Sequence, residues 1–313
     1  MKVFVTGVAG QLGHDVMNEL AKRGYEGIGS DIAPQYGGAM DGSAVTSMPY
    51  VSLDITDAAA VEQTLEQLHP DVVVHCAAWT AVDLAEDADK QAKVRAINVD
   101  GTSYIAKCCA KINAKMVYIS TDYVFDGRGE KPWKADCKDY APINVYGQSK
   151  LDGELAVAAA LEKFFIVRIA WVFGTNGKNF IRTMLNVGAT HDRLTVVNDQ
   201  IGTPTYTFDL ARLLVDMIET EKYGYYHATN EGGYISWYEF AKEIFRQAAE
   251  LGHTEYDAQH LHVAAVSTAE YGASKAARPF NSRLDKSKLT EAGFTLLPTW
   301  QDALARYLKE IDF

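Results

Sequence analysis

The sequence predicts an α/β fold: a doubly wound, mostly parallel sheet followed by a smaller α/β C-terminal domain. Three observations carry that expectation. Short apolar runs alternate with helical patterns over roughly the first half of the chain, the signature of a parallel sheet covered on both faces. Gly7, Gly10 and Gly13 stand between the first strand and the first helix. An aspartate, Asp31, closes the second strand.

Lys2–Thr6 reads as the first strand, Gln11–Arg23 as a helix, Glu26–Ser30 as the second strand and Tyr50–Leu53 as the third. Asp57–Leu68 carries apolar positions at helical spacing behind an acidic start. Val72–Cys76 is the fourth strand, Asp100–Lys111 a helix and Met116–Ser120 the fifth strand. A helix from Tyr146 to Leu161 leads to a strand at Phe164–Arg168.

Beyond it the pattern loosens. Helices are expected over Asn179–Val187 and Phe208–Glu219, and a strand over Tyr225–Ala228. Ser236 followed by Glu239 forms a capping box that opens a helix running to Leu251. A strand at Val263–Ser267 and helices over Asp285–Ala292 and Thr299–Lys309 complete the chain. The sheet domain is expected to take residues 1–170 and about 203–229; the smaller domain takes about 171–202 and 230–313.

Composition narrows the function classes. With 313 residues, 48% of them hydrophobic and 23% charged, the chain has the balance of a folded enzyme and not of a disordered segment. A net charge of −11 argues against general nucleic-acid binding, which needs a basic surface to neutralise phosphates. A small anionic ligand remains compatible, because a site can be locally positive on an acidic protein. Cys76, Cys108, Cys109 and Cys137 lack metal-ligand spacing, which fits a reducing compartment. The first residues reach glycine too soon for a signal peptide, and no apolar run approaches the roughly 20 residues that span a bilayer. The expectation is a soluble, cytoplasmic protein.

The segment Thr6–Gly13 gives the first chemical lead. Glycines after a strand let the chain turn sharply and approach a pyrophosphate, which the following helix N-terminus attracts. The spacing, Gly-x-x-Gly-x-x-Gly, is one residue wider than the usual dinucleotide fingerprint. Asp31 stands where a carboxylate can accept from the adenosine ribose hydroxyls. Asp54 and Ile55 suit the edge and face of an adenine, and Ala77 and Ala78 are small enough for backbone to pass beside a ligand. Together these point to a Rossmann-like site for NADH or NADPH.

Tyr146 and Lys150 supply the second lead. Four residues apart, they share one face of a helix, and a cation beside a tyrosine lowers its pKa from about 10. The same spacing recurs at Tyr238–Lys242 and Tyr271–Lys275, so context must separate them. Only Tyr146 opens the helix after the fifth strand, whose end carries Thr121 and Asp122, and ligands bind outside the carboxyl ends of such strands. Thr121 can then polarise the carbonyl that Tyr146 protonates.

These residues make the chain resemble the extended short-chain dehydrogenase/reductase superfamily, and within it the dTDP-4-dehydrorhamnose reductases. The segments TGVAGQLG, HCAAWTAVD, YISTDYVFDG, NVYGQSKLDGE, VRIAWVFG, VVNDQIGTPT and RPFNSRL look like that family's and follow its order. The resemblance implies reduction of dTDP-4-dehydro-β-L-rhamnose to dTDP-L-rhamnose. By position it makes Tyr146 the proton donor, Lys150 the holder of the nicotinamide ribose and Thr121 the residue that tunes the hydrogen bonding. It sets Gly10, Gln11 and Leu12 against the pyrophosphate, and adds Trp79 and Ile119 to the cofactor site. Asp122, Trp171 and Arg278 are expected to contact the substrate, with Trp171 on the sugar ring. Lys178, Arg182 and Arg283 join Arg278 as candidates for the substrate's diphosphate.

Some members of this family dimerise through magnesium held by acidic residues near the first helix, where this chain has His14 and Asp15. Magnesium at a dimer interface is therefore open, but none is expected in the chemistry, and the chain is expected to be a monomer or homodimer. Two rival readings stand beside the reductase. One is a sugar-nucleotide epimerase or dehydratase, disfavoured because Tyr123 follows Asp122 where a dehydratase has a second acid. The other is a non-catalytic regulatory subunit resembling the methionine adenosyltransferase beta subunit, which would bind nucleotide without turnover.

Overall fold

The computed structural model describes every residue from Met1 to Phe313 except Ala273. Its centre is a sheet of seven strands: β1 (Lys2–Thr6), β2 (Glu26–Asp31), β3 (Tyr50–Ser52), β4 (Val72–His75), β5 (Lys115–Thr121), β6 (Phe164–Ile169) and, later in the chain, Gly224–His227. All neighbouring pairs are parallel, and the spatial order runs from Gly224–His227 through β6, β5, β4 and β1 to β2 and β3. The direction of winding reverses between β1 and β4, which opens a crevice at the carboxyl ends of those strands. Val3–Val5, Val72–Val74, Met116–Tyr118 and Phe165–Val167 are buried, as strands sandwiched between helices must be.

Helices α1 (Gln11–Lys22), α2 (Ala58–Leu68), α3 (Val82–Ala85) and α4 (Gln91–Arg95) precede a π-helical stretch, Ala96–Gly101, that runs into α5 (Thr102–Lys111). Helix α6 covers Val145–Ala160. The helical segment therefore begins about two and a half turns before the expected Asp100. Its π turn aims Asn98 at the loop after β4: Asn98 accepts from the Trp79 amide at 2.8 Å and donates to the Trp79 carbonyl at 3.1 Å. Such local widening is common at functional sites.

The remaining strands are β7 (Val172–Phe173), β8 (Arg193–Val197), β9 (Ile201–Gly202), β10 (Thr205–Tyr206), the sheet strand β11 (Gly224–His227), β12 (Ile235–Ser236) and β13 (His262–Val266). β8 pairs with β13 and β7 with β10 in parallel, whereas β9 and β12 run antiparallel. Helices α7 (Phe180–Gly188), α8 (Thr207–Ile218), α9 (Trp237–Glu250), α10 (Thr268–Tyr271), α11 (Ser287–Glu291) and α12 (Trp300–Glu310) complete the chain. Five of these strands, β7, β8, β9, β10 and β12, escape the sequence pattern. Four of the five are two-residue ladders, too short to show a period.

Three of the four apolar clusters among the described residues hold the layers together. Val5, Met17, Leu210 and Leu214 belong to the one that joins α1 and α8 to one sheet face. Phe4, Leu65, Ile105 and Val157 belong to that of α2, α5 and α6 on the other. Phe173, Phe240, Ile244, Trp300, Leu304 and Tyr307 fill a third beneath the C-terminal strands. The capping box at Ser236 forms as expected, with the Ser236 amide donating to Glu239 at 2.7 Å and the Glu239 amide donating back at 3.1 Å. Among the described residues no helix is long and apolar enough to cross a membrane, and all four cysteines are free thiols.

Candidate active site

A cleft of about 870 Å³ opens along the carboxyl ends of β1, β2, β4 and β5. The turn after β1 forms its floor. Gly7 has φ +72°, a left-handed conformation, and a Cβ there would come within 2.6 Å of the Ala77 nitrogen. At Gly13 a Cβ would meet the Gly7 carbonyl oxygen at 2.3 Å, so glycine is what lets α1 close on the turn. Gly10 caps α1 without a side-chain hydrogen bond, leaving the helix N-terminus to face the cleft beside Gln11, Leu12 and Gly13. Asn176, which also lines the cleft, pins the turn by donating to the Ala9 carbonyl at 3.1 Å.

Asp31 ends β2 inside the cleft; it accepts from the Ala9 amide at 3.1 Å and the Ile32 amide at 2.8 Å. Those bonds hold the carboxylate at the rim and tie it to the glycine turn. Asp54, Ile55, Ala77, Ala78 and Ile119 also line the cleft. A bare glycine cradle, a helix N-terminus and a carboxylate at the next strand end fit a dinucleotide, with the pyrophosphate on the turn and the adenosine ribose at Asp31.

At the other end, Thr121, Asp122, Tyr146, Lys150 and Trp171 come together in the same cleft. Asn144 caps α6 by accepting from the Gly147 amide at 2.7 Å, which starts the helix so that Tyr146 and Lys150 face β5. The Lys150 ammonium lies 4.0 Å from the centre of the Tyr118 ring. Burial pushes its pKa down to about 7, against the pull of Glu154. Glu154 itself is held by the wholly buried Arg168, at 2.8 and 2.7 Å.

Tyr146 departs from the expectation that a neighbouring lysine lowers its pKa. In this structure burial raises it above the usual tyrosine range, the Asp122 and Tyr123 side chains raise it further, and the Thr121 hydrogen bond works the other way. Asp122 is also shifted, raised to about 6 by burial.

Trp171 sits just past β6 with φ 51°, a conformation that costs a non-glycine residue of order 1–3 kcal/mol. Thr205 fixes it: its amide donates to the Trp171 carbonyl at 3.1 Å and its hydroxyl to the Ala170 carbonyl at 2.6 Å. Trp237, at the start of α9, stacks on the Trp171 ring and lines the same cleft.

A family model described as "RmlD substrate binding domain" matches residues 1–313. A dTDP-4-dehydrorhamnose reductase of Aggregatibacter actinomycetemcomitans is 36% identical over 97% of each chain. The chain belongs to this reductase family. It is likewise 36% identical to a spore coat polysaccharide biosynthesis protein of Bacillus subtilis, over 99% of this chain and 97% of that protein. Among solved structures, the dTDP-4-dehydrorhamnose reductase of Bacillus anthracis in complex with NADP superposes with a TM-score of 0.85. It is 36% identical, over 99% of this chain and all of that one.

Not every residue that the family resemblance suggests reaches the cleft of this member. The Trp79 indole turns back to donate to the Ala81 carbonyl at 3.0 Å. Arg278 pairs with Asp83 at 2.6 Å and donates to the Tyr123 hydroxyl at 3.1 Å. Arg182 donates to the Thr175 carbonyl and Arg283 to the Asn281 side chain. Of the four cations proposed for a diphosphate, Lys178 does line the cleft. The other tyrosine–lysine pairs lie elsewhere: Tyr238 and Lys242 on α9, and Tyr271 at the end of helix α10 instead of in a loop.

Near the first helix, His14 bonds to the Tyr36 hydroxyl at 2.7 Å and faces Asp41 at 3.2 Å. Asp15 accepts from Thr207 at 2.5 Å. Among the described residues no group of three or more His, Cys, Asp or Glu gathers as for a metal. Sequence reading missed Tyr123, whose ring meets Tyr146 edge-on at 5.5 Å, and it missed Trp237. Tyr123 follows Thr121 and Asp122 directly and was legible as their neighbour; Trp237 carried no signal beyond its capping box.

Proposed function

We propose that this enzyme reduces the C4 carbonyl of dTDP-4-dehydro-β-L-rhamnose to dTDP-L-rhamnose, with NADPH or NADH as cofactor and Tyr146 as proton donor. The observation that carries it is the arrival of Thr121, Tyr146 and Lys150 in the cleft that also holds the glycine turn and Asp31. When bound, the nicotinamide supplies hydride to the carbonyl carbon. Tyr146 gives its phenolic proton to the carbonyl oxygen as charge develops there. Lys150 holds the nicotinamide ribose, and its ammonium stabilises the tyrosinate left behind. Trp171 covers the apolar face of the sugar.

Gly7, Gly10, Gln11, Leu12 and Gly13 would hold the pyrophosphate, and Asp31, Asp54 and Ile55 the adenosine. Residues 171–202 and 230–313 serve as the substrate-binding part. Lys178 is the cation best placed for the substrate's diphosphate. The reading includes a cytoplasmic enzyme acting as a monomer or homodimer, without nucleic-acid or membrane partners and without magnesium in the chemistry; the net charge of −11 supports the exclusion of nucleic acid.

The test is loss of NADH or NADPH absorbance with purified protein and the dTDP-linked ketosugar, dTDP acting as competitor. Tyr146→Phe should keep cofactor affinity and lose roughly 10²–10⁴ in turnover. Near-normal turnover of that variant removes Tyr146 as donor. Cofactor binding without turnover of the ketosugar by the unmodified protein points instead to the regulatory subunit.

A further inference from the structure

The glycine turn has fewer free donors than its shape suggests. The Gly7 and Val8 amides both donate to the Ser30 carbonyl, at 2.8 and 3.3 Å. The Ala9 amide donates to Asp31 at 3.1 Å, and the Gly10 amide to the Gly7 carbonyl at 3.0 Å. What remains for a phosphate is the opening turn of α1, at Gln11, Leu12 and Gly13, which carries only the partial charge of a helix end. The Asp31 carboxylate adds a negative charge beside it. A diphosphate seated there needs a full cation from another part of the chain.

Three lysines and no arginine line the cleft among the described residues. Lys150 is buried over the Tyr118 ring, at the end where Tyr146 stands. Lys93, Ile97 and Gly101 follow one another at helical spacing, and a Cβ on Gly101 would come within 2.9 Å of the Ile55 carbonyl oxygen. That face of the helix therefore belongs to the adenosine end. Lys178 is left for the turn.

The segment around Lys178 is tied to that turn on both sides. Asn176 donates to the Ala9 carbonyl at 3.1 Å and the Gly10 carbonyl at 3.4 Å, and it accepts from the Ala39 amide at 2.9 Å. Asn179 donates to the Gln11 side-chain oxygen at 3.0 Å. Between them Gly177, at φ +130°, lies so close that a Cβ would meet Gln11 Cγ at 3.3 Å. Lys178 itself is exposed and has no ion pair or hydrogen bond among the described residues. Its flexible stem leaves the ammonium free to swing over the first turn of α1. The same segment leads back to Trp171, so Lys178 also faces the part of the cleft given above to the sugar nucleotide.

We propose that Lys178 is a shared counter-ion: its ammonium neutralises the cofactor's pyrophosphate on α1 and, from the same anchorage, the diphosphate of the sugar nucleotide. The substrate half rests on the reading above; the cofactor half adds a binding residue to the glycine turn. Asn176 and Asn179 are positioning residues that keep the lysine within reach of both anions.

The test is binding, without turnover. NADPH is titrated into the cofactor-free protein, and dTDP into protein saturated with NADPH. Lys178→Met, which keeps the stem and removes the charge, should weaken each ligand by roughly three- to tenfold. Lys178→Arg should restore most of both affinities. The deficit of Lys178→Met should shrink at high salt, as a lost charge contact does and a lost packing contact does not. An unchanged Kd for NADPH in Lys178→Met overturns the proposal. A weaker NADPH with an unchanged dTDP overturns the sharing. If the unmodified protein binds NADPH and not dTDP, the substrate reading falls; a salt-sensitive loss of NADPH affinity in Lys178→Met then still supports the cofactor half.

Discussion

The indole of Trp171 lies face to face with that of Trp237, ring centroids 3.7 Å apart and planes inclined by 16°. One ring follows β6 of the central sheet, and the other opens a helix whose apolar face belongs to the C-terminal cluster. Phe180 supports Trp237 from behind, at 4.5 Å. Both rings line the cleft that also holds Tyr146 and Thr121. Such stacks are worth about 0.5–1.5 kcal/mol beyond the area they bury, enough to hold two ring orientations.

If the pair holds the sugar's apolar face, Trp237→Ala should act through Trp171. The KM for the dTDP-ketosugar should rise by up to about tenfold, the equivalent of about 1.4 kcal/mol, while cofactor KM stays put. Trp171→Ala should raise it at least as far. Steady-state kinetics with each substrate varied in turn checks both. An equal rise in the KM for cofactor would place the pair elsewhere in the cycle.

Asp31 makes the second prediction. Placed at the adenosine ribose as proposed, its carboxylate would accept hydrogen bonds from a free 2′-hydroxyl and repel a 2′-phosphate, a like-charge contact that costs several kcal/mol when close. Asp31→Ala should therefore move the ratio of kcat/KM for NADPH over NADH upward by at least about tenfold. Both cofactors are expected to work with the unmodified enzyme. A ratio that does not move would mean that Asp31 is not at the ribose.

The residues that were legible in the sequence are those whose place is set by the sheet. Gly7, Asp31 and Thr121 each sit at the end of a strand, and a parallel sheet puts those ends on one edge. Tyr146 was legible because its helix follows β5. Trp237 was not, since it reaches the cleft through the packing of α9 on Phe180 and Trp171, which no periodicity records. Arg278 shows the converse. A fork of donors in a plausible segment suggested phosphate, yet Asp83 and the Tyr123 hydroxyl occupy that fork. For Tyr146, spacing shows Lys150 nearby, but the burial and the Asp122 carboxylate that raise its pKa are three-dimensional facts.

The third prediction concerns the ion pair beneath Lys150. Arg168 and Glu154 are both fully buried and joined by two hydrogen bonds, and Arg168 also donates to the Ala135 carbonyl at 3.1 Å and the Tyr140 hydroxyl at 3.0 Å. Removing one partner leaves an uncompensated buried charge, a cost of about 3–5 kcal/mol. Arg168→Met should lower the stability read from urea unfolding by that amount. A double Arg168→Met, Glu154→Leu variant should recover much of it, because replacing both charges leaves none stranded. If the double variant is less stable than the single by the full cost again, the two residues are not acting as a pair.

The last prediction is a pH dependence at α1. Asp15 is buried, and burial raises its pKa from the usual 3.8 to about 7; the carboxylates of Glu310, Asp41 and Asp209 add to the rise, and the Thr207 hydroxyl opposes it. The sign follows from proton counting. Below about pH 4 both folded and unfolded chains hold this proton. Between there and about 7 the unfolded chain has released it while the folded one keeps it, so this residue lowers stability as pH rises through that window. Above about 7 both are ionised and the loss is complete. Asp15→Asn cannot ionise and should escape the loss. Its melting temperature, compared with that of the unmodified protein, should climb from pH 4 to 7 and then level off. His14, lowered by burial against the pull of Asp41, titrates in both proteins, so the comparison subtracts most of its contribution. A difference between the two melting curves that is flat from pH 4 to 8 would show that Asp15 ionises at its ordinary pH in the fold.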